Sequence, residues 1–225
     1  AVSEAHRQVT RNMFAPILGG HSGQVFGITN GVHDSTWIAP AMDALFERYL
    51  GAGWKDRQDD PALWEDIAAI PDEELWQARQ TLKAYLLAST REHARTRWVR
   101  RQAGAAQLAA SGTLLDPNAL TIGFSRRFTD YKRPELIFQD EERLARLLNA
   151  TRRPIQLIFA GKAHPADEQG KRSLQRIYTR AADLRFAGRI AFVDEYNLHV
   201  AHLFVQGCDV WLNNPRKPLE ACGTS

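Results

Sequence analysis

The sequence predicts an α/β fold in which helices wrap a parallel sheet, and two observations carry that prediction. After Asp116-Pro117, short apolar runs alternate with stretches of helical periodicity, the pattern of successive βαβ units. Before it, from Asp60 to Ser111, the pattern is almost wholly helical. Gly112 to Asn118 separates the two patterns and is the predicted domain boundary, dividing the chain into residues 1–115 and 116–225. No internal repeat, low-complexity tract or Ser/Gly linker interrupts either part.

In chain order, Ser3 to Phe14 has helical spacing, and Gly19-Gly20-His21-Ser22-Gly23 is expected to end that helix. A short strand is expected over Val25 to Thr29, delivering Asn30-Gly31-Val32-His33 into a turn, because Asn-Gly tolerates positive φ angles. Trp37 to Gly51 predicts a helix with apolar Ile38, Met42, Leu45, Phe46 and Tyr49, stopped by Gly51-Ala52-Gly53. In the long helical stretch, Pro61 and Pro71 suit first-turn positions and Asp72-Glu73-Glu74 sets acid near a helix start. Its second half is basic, with Arg91, Arg95, Arg97, Arg100 and Arg101, but Glu92, Trp98 and Val99 interleave with them. We read a solvated face there in preference to a nucleic-acid surface. Trp54, Trp64, Trp76 and Trp98 fall in helical segments, where core packing is expected before sugar stacking.

Beyond the boundary, strands are predicted at Leu120 to Phe124, Ile155 to Ala160, Ile190 to Val193 and Val210 to Asn213, and helices at Pro134 to Leu148, Asp167 to Ala182 and Leu198 to Gln206. Right-handed crossovers then bring every strand-to-helix loop to one edge of the sheet.

Composition narrows the function classes. Of 225 residues, 44% are hydrophobic and 24% charged, which predicts a folded, soluble protein. The net charge of +3 reflects 29 basic against 26 acidic residues with no polybasic block, so nucleic acid is a poor partner. Cys208 and Cys222 have neither zinc-site spacing nor the density of a disulfide scaffold, and a reducing cytoplasm is expected. The apolar runs are too short to cross a bilayer.

Ligands of open α/β sheets bind beyond the carboxyl ends of the strands, so chemistry is expected in the four loops there. These are Ser125-Arg126-Arg127-Phe128-Thr129-Asp130-Tyr131-Lys132-Arg133, Gly161-Lys162-Ala163-His164-Pro165, Asp194-Glu195-Tyr196-Asn197, and Asn214 to Ser225. Three of the four carry Arg or Lys beside Gly or a helix start, a combination that holds phosphate through fixed cations and backbone N–H groups. The bland alternative is a solvated rim of cations. No Gly-x-Gly-x-x-Gly after a strand, no nucleotide phosphate loop, no Gly-x-Ser-x-Gly and no metal-ligand histidine spacing is present, which argues against dinucleotide, ATP, triad and zinc chemistry.

Four segments, Ile28 to His33, Arg126 to Arg133, Phe159 to Pro165 and Leu219 to Ser225, resemble the α-glucan phosphorylase family in order and in placement at strand ends. The Asn-Gly-Val-His turn and the Asn-Asn-Pro-Arg run are closer to the compact bacterial and archaeal members than to the animal glycogen enzymes. The resemblance implies a glycosyltransferase of GT-B architecture, with two facing Rossmann-like domains, a pyridoxal phosphate (PLP) cofactor, and an α-1,4-glucan or maltodextrin and inorganic phosphate as substrates giving glucose 1-phosphate. It makes Arg127 and Lys132 the catalytic cations that grip substrate phosphate. Glu220, Gly223 and Thr224 would contact glucose and the phosphates, Asn30 and His33 would face them from the other domain, and Lys162 would lie on the phosphate side. Tyr196, with Thr224, would sit near the cofactor phosphate. Family members are often homodimers.

Four of these assignments have a structural alternative: Glu220 as a helix-start carboxylate, Tyr196 as a packing residue, His33 as a turn residue bonded to its own backbone, and Lys162 as a helix cap. One departure bears on activity. The chain stops at Ser225, with Cys222 in the family's serine position, before the Gly-Met-Lys whose lysine forms the Schiff base with PLP. An internal fragment, inactive by itself, is therefore expected. A sugar-nucleotide-dependent glycosyltransferase such as a glycogen synthase shares the architecture and the Asn-Gly-Val-His turn, and a non-catalytic glucan-binding protein is a third reading.

Overall fold

A computed structural model describes residues 1–18, 25–101 and 104–223, so the predicted glycine breaker at 19–23 lies outside the described residues, as does Thr224. Helix α1 spans Glu4–Leu18, longer than predicted. Residues 25–30 form no strand. A strand needs a neighbouring ladder, and the backbone bonds here are confined to the chain start: Ile28 N–H donates to the Ala1 carbonyl at 2.7 Å and the Ala1 amino group to the Phe26 carbonyl at 2.8 Å. The expected helix from Trp37 to Gly51 is split into α2 (Asp34–Trp37) and α3 (Pro40–Leu50). Proline explains the break: it disfavours the helical region for the preceding residue, and Ala39 is extended with ψ 148°.

A 3-10 segment over Pro61–Ala69, capped by the Asp60 side chain, leads to α4 (Asp72–Arg101) and the short α5 (Ala105–Ala110). The sheet consists of β1 (Leu120–Ser125), β2 (Ile155–Ala160), β3 (Ile190–Val193) and β4 (Val210–Trp211), all parallel, in the order β3-β2-β1-β4. The last strand is shorter than predicted because Asn213 and Asn214 turn into loop bonds. Helices α6 (Glu141–Leu148), α7 (Glu168–Ala181) and α8 (Leu198–Gly207) connect the strands. Helix α6 begins later than Pro134 because the Asp140 side chain accepts from Arg143 N–H at 2.9 Å, restarting the helix after a 3-10 turn at Leu136–Phe138.

Side chains of a strand alternate between faces, and β2 shows how the sheet uses both. Leu157 and Phe159 join Phe124, Phe138, Ile177 and Phe186 in one core, against α6 and α7. Ile158 and Ala160 join Leu86 and Leu87 of α4 and Phe204 of α8 in the other. Helix α4 thus closes the second face, and its first turns also pack into a third cluster with α3 around Phe46, Trp54 and Leu63. Trp54 is buried as expected, whereas Trp76 is 60% exposed, correcting its assignment to a core. It lies within cation–π distance of Lys83, whose Nζ is 5.9 Å from the ring.

From β1 the chain moves outward to β2 and β3, then returns past β1 to add β4 on its other side. This reversal makes the gap between the carboxyl ends of β1 and β4 a topological switch point, where the loops leave in opposite directions and open a crevice.

Candidate functional site

Ser125 ends β1, yet the ladder continues one residue further, with Arg126 N–H donating to the Ala160 carbonyl at 3.3 Å. Phe128, fully buried, fastens the loop to the core, and its N–H donates to the Lys162 carbonyl at 2.9 Å. Glycine is required at 161 for these loops to meet: its φ is +150°, and a side chain there would collide with the Arg126 carbonyl oxygen. A 3-10 turn over Asp130–Lys132 then carries Lys132 inward, and Arg133 follows with φ 47°, an uncommon conformation for a residue with a side chain.

Bonds from the β4 loop hold that turn. Arg133 Nε donates to the Asn214 carbonyl at 2.8 Å, Asn214 Nδ2 donates to the Arg133 carbonyl at 3.2 Å, and Arg216 N–H donates to the Tyr131 carbonyl at 2.7 Å. The two loops of the switch point are thereby one unit. At its centre Lys132 Nζ lies 2.9 and 3.1 Å from the Glu220 carboxylate oxygens, and an Arg126 guanidinium nitrogen lies 3.2 Å from Glu220 Oε2. Arg126 also donates to Asn213 Oδ1. The side chains of Arg126 and Lys132 are only 6% and 9% exposed. Two cations sharing one carboxylate where water is scarce leave positive charge uncompensated, which favours an additional anion.

Beside this centre is a cavity of about 570 Å³, lined by Gly31, His33, Trp37, Ser125, Tyr196 and Trp211 among others. Ser125 Oγ and Trp211 Nε1 are buried without a hydrogen-bond partner among the described residues. The cavity wall is rich in aromatic rings, a feature of a ligand pocket.

No protein-family model matches the chain. Curated relatives do. The chain is 49% identical over 225 residues to the glycogen phosphorylase of Aquifex aeolicus, covering all of the chain and 32% of that protein. It is 41% identical over 230 residues to the maltodextrin phosphorylase of Thermococcus litoralis, covering all of the chain and 27% of that protein. Along its whole length the chain is similar to these glycogen and maltodextrin phosphorylases. It spans about a third or less of the length of these relatives. A glycogen phosphorylase of Mycobacterium tuberculosis, 41% identical over 227 residues, is similar in the same way.

The expected site residues divide into groups. Lys132 and Glu220 are brought into direct contact. His33 and Tyr196 share the cavity wall; His33 Nδ1 is 2.7 Å from Thr36 Oγ1, a side-chain partner in place of its own backbone. Asn30 is exposed beyond the lining of that cavity. Arg127 and Lys162 are exposed, and neither side chain has a hydrogen bond or ion pair among the described residues. Gly223 is exposed, three residues past Glu220. Arg126, Arg133, Asn213 and Asn214 organise the centre but were not singled out from the sequence. For Arg126 the available signal was its place directly after the strand, where tandem arginines must point to opposite sides.

Proposed function

We propose that the protein is an α-glucan phosphorylase, a PLP-dependent glycosyltransferase that uses inorganic phosphate to release the terminal α-1,4-linked glucose of a glucan or maltodextrin as glucose 1-phosphate. The observation that carries this reading is the 49% identity to a glycogen phosphorylase across all 225 residues. The cationic crevice at the switch point supports it on physical grounds, because an attacking phosphate has to be held by fixed positive groups while charge develops on the sugar.

In this reading Lys132 and Arg127 grip the substrate phosphate, the first from a buried position and the second from the rim. Glu220, Gly223 and Thr224 hold glucose hydroxyls and phosphate oxygens from the β4 loop, with Asn30 and His33 opposite and Lys162 on the phosphate side. Tyr196 and Thr224 contact the cofactor. The residues present fit PLP at its phosphate end: Arg126 and Lys132 carry more positive charge than Glu220 balances, and Tyr196 lines an adjoining aromatic cavity. When bound, PLP supplies a phosphate group that exchanges a proton with the substrate phosphate. The chain's own residues orient the attacking oxygen, neutralise the anion and exclude water.

The parallel sheet and its switch point support a GT-B arrangement in which 1–115 belongs to a first Rossmann-like domain with a helical connection and 116–225 to a second. A cytoplasmic homodimer completes the proposal; among the described residues no helix is long and apolar enough to cross a membrane.

The test is phosphorolysis of a maltodextrin by the full-length protein purified with PLP. Glucose 1-phosphate formed by wild type, with a loss of about 100-fold or more in Lys132→Ala, is the expected result. Transfer from a sugar nucleotide without phosphate dependence would replace this reading with a synthase-like one.

A further inference from the structure

Glu220 occupies Lys132, the cation assigned above to the substrate phosphate. Its carboxylate takes both nearby Lys132 contacts, at 2.9 and 3.1 Å, and the Arg126 contact at 3.2 Å. Neither cation has another carboxylate partner among the described residues. The loop that carries Glu220 is fastened to the cationic turn through Asn214, Pro215 and Arg216, so the carboxylate is delivered by a held segment. A phosphate oxygen bonding Lys132 in the same direction cannot coexist with Glu220 there, because the two anions would share one set of donors and repel each other.

We infer that Glu220 is an internal competitor for the anion-binding cations, and that phosphate and glucan bind cooperatively because the sugar draws Glu220 off Lys132 and Arg126. This rests on the phosphorylase reading and deepens it. A phosphate that reaches Lys132 releases Glu220 for a sugar hydroxyl, and a sugar that engages Glu220 frees Lys132 for phosphate. By linkage the two effects are equal in binding free energy. The arrangement also favours dianions over weakly charged ligands, since only a ligand with more charge than the carboxylate it displaces gains from the exchange.

The inference is tested by calorimetric titration of inorganic phosphate into the full-length holoenzyme without glucan. Glu220→Gln, which keeps the shape and removes the charge, is expected to bind phosphate about 10-fold more tightly than wild type. Asp130→Asn removes the same charge from the neighbouring loop but touches neither Lys132 nor Arg126, its partners being Gln169 and Arg216. It should change phosphate affinity less than about 2-fold, separating direct competition from general electrostatics. Adding a non-cleavable maltodextrin, with sulfur in place of the terminal glycosidic oxygen, should tighten phosphate binding to wild type about 10-fold and to Glu220→Gln hardly at all. Equal or weaker phosphate binding by Glu220→Gln, an equal gain from Asp130→Asn, or undiminished coupling in Glu220→Gln overturns the inference while leaving phosphorolysis by wild type intact. Absence of both phosphate binding and glucose 1-phosphate production in wild type removes the phosphorylase reading itself. If Glu220→Gln fails to fold, Glu220→Asp, whose carboxylate is one methylene further from the cations, is read by the same criteria.

Discussion

Lys83 Nζ lies 2.6 Å from Asp209 Oδ2, joining the middle of α4 to the residue that precedes β4. Lys83 is 2% exposed, and its other bond is to the Ala119 carbonyl at 3.2 Å. Asp209 also accepts from Thr121 N–H at 2.9 Å and has Arg79 at 3.5 Å. The pair therefore fixes α4 against the amino ends of β1 and β4, opposite the edge that carries the candidate site. Removing Asp209 strands a buried ammonium, so Asp209→Ala should destabilise the fold by about 3–5 kcal/mol, measured by urea unfolding. Lys83→Met, which removes the charge and keeps the volume, should cost less.

Phe128 links stability to the site. Its ring is fully buried among Phe124 and Phe192 while its backbone ties the β1 loop to Lys162. Phe128→Ala should lower stability by about 3–5 kcal/mol and loosen the loop that presents Lys132. Thermal unfolding reads the first effect and phosphate titration the second.

Arg126 and Arg127 are adjacent and should respond differently. Arg127→Ala is expected to leave unfolding within about 0.5 kcal/mol of wild type, because its side chain is exposed, while weakening phosphate use. Arg126→Ala removes a buried partner of Glu220 and Asn213 and should reduce both stability and phosphate affinity. Denaturation and phosphate dependence, measured on the same two variants, separate a gripping residue from an organising one.

The cysteines give a pH prediction. Burial pushes the Cys208 thiol up to about 12 from an ordinary 9.0, with Asp209 adding to the shift. A raised folded-state value means that this thiol contributes stability below the unfolded value, and that the contribution is lost as pH climbs from about 9 toward about 12. At pH 8 iodoacetamide should modify the half-buried Cys222 and spare Cys208 in the native protein. Mass spectrometry of the alkylated peptides checks this, and equal labelling of both would contradict the buried position.

Gly161 is the point at which the β2 loop passes the β1 loop. Gly161→Ala should cost about 1–3 kcal/mol through collision with the Arg126 carbonyl and strain at positive φ, seen as a lower unfolding midpoint.

Local pattern sufficed for the sheet. Ile155 to Ala160 and Ile190 to Val193 were legible because apolar, β-branched and aromatic runs of strand length leave few alternatives, and their helices carry strong one-sided apolar faces. The carboxyl-edge loops followed from the parallel order, and the cations within them were visible by type. Local pattern failed at Val25 to Thr29, since a strand exists only through a partner ladder, and at Trp37 to Gly51, where Pro40 outweighed continuous apolar spacing. What the sequence determined by itself was the fold class, the phosphorylase resemblance and the set of cations available. Which cation meets Glu220 was decided by the tertiary structure. Arg126 and Lys132 converge on it, and Arg127 does not, because the strand's pleat and the 3-10 turn after Thr129 set side-chain directions that one-dimensional spacing leaves open.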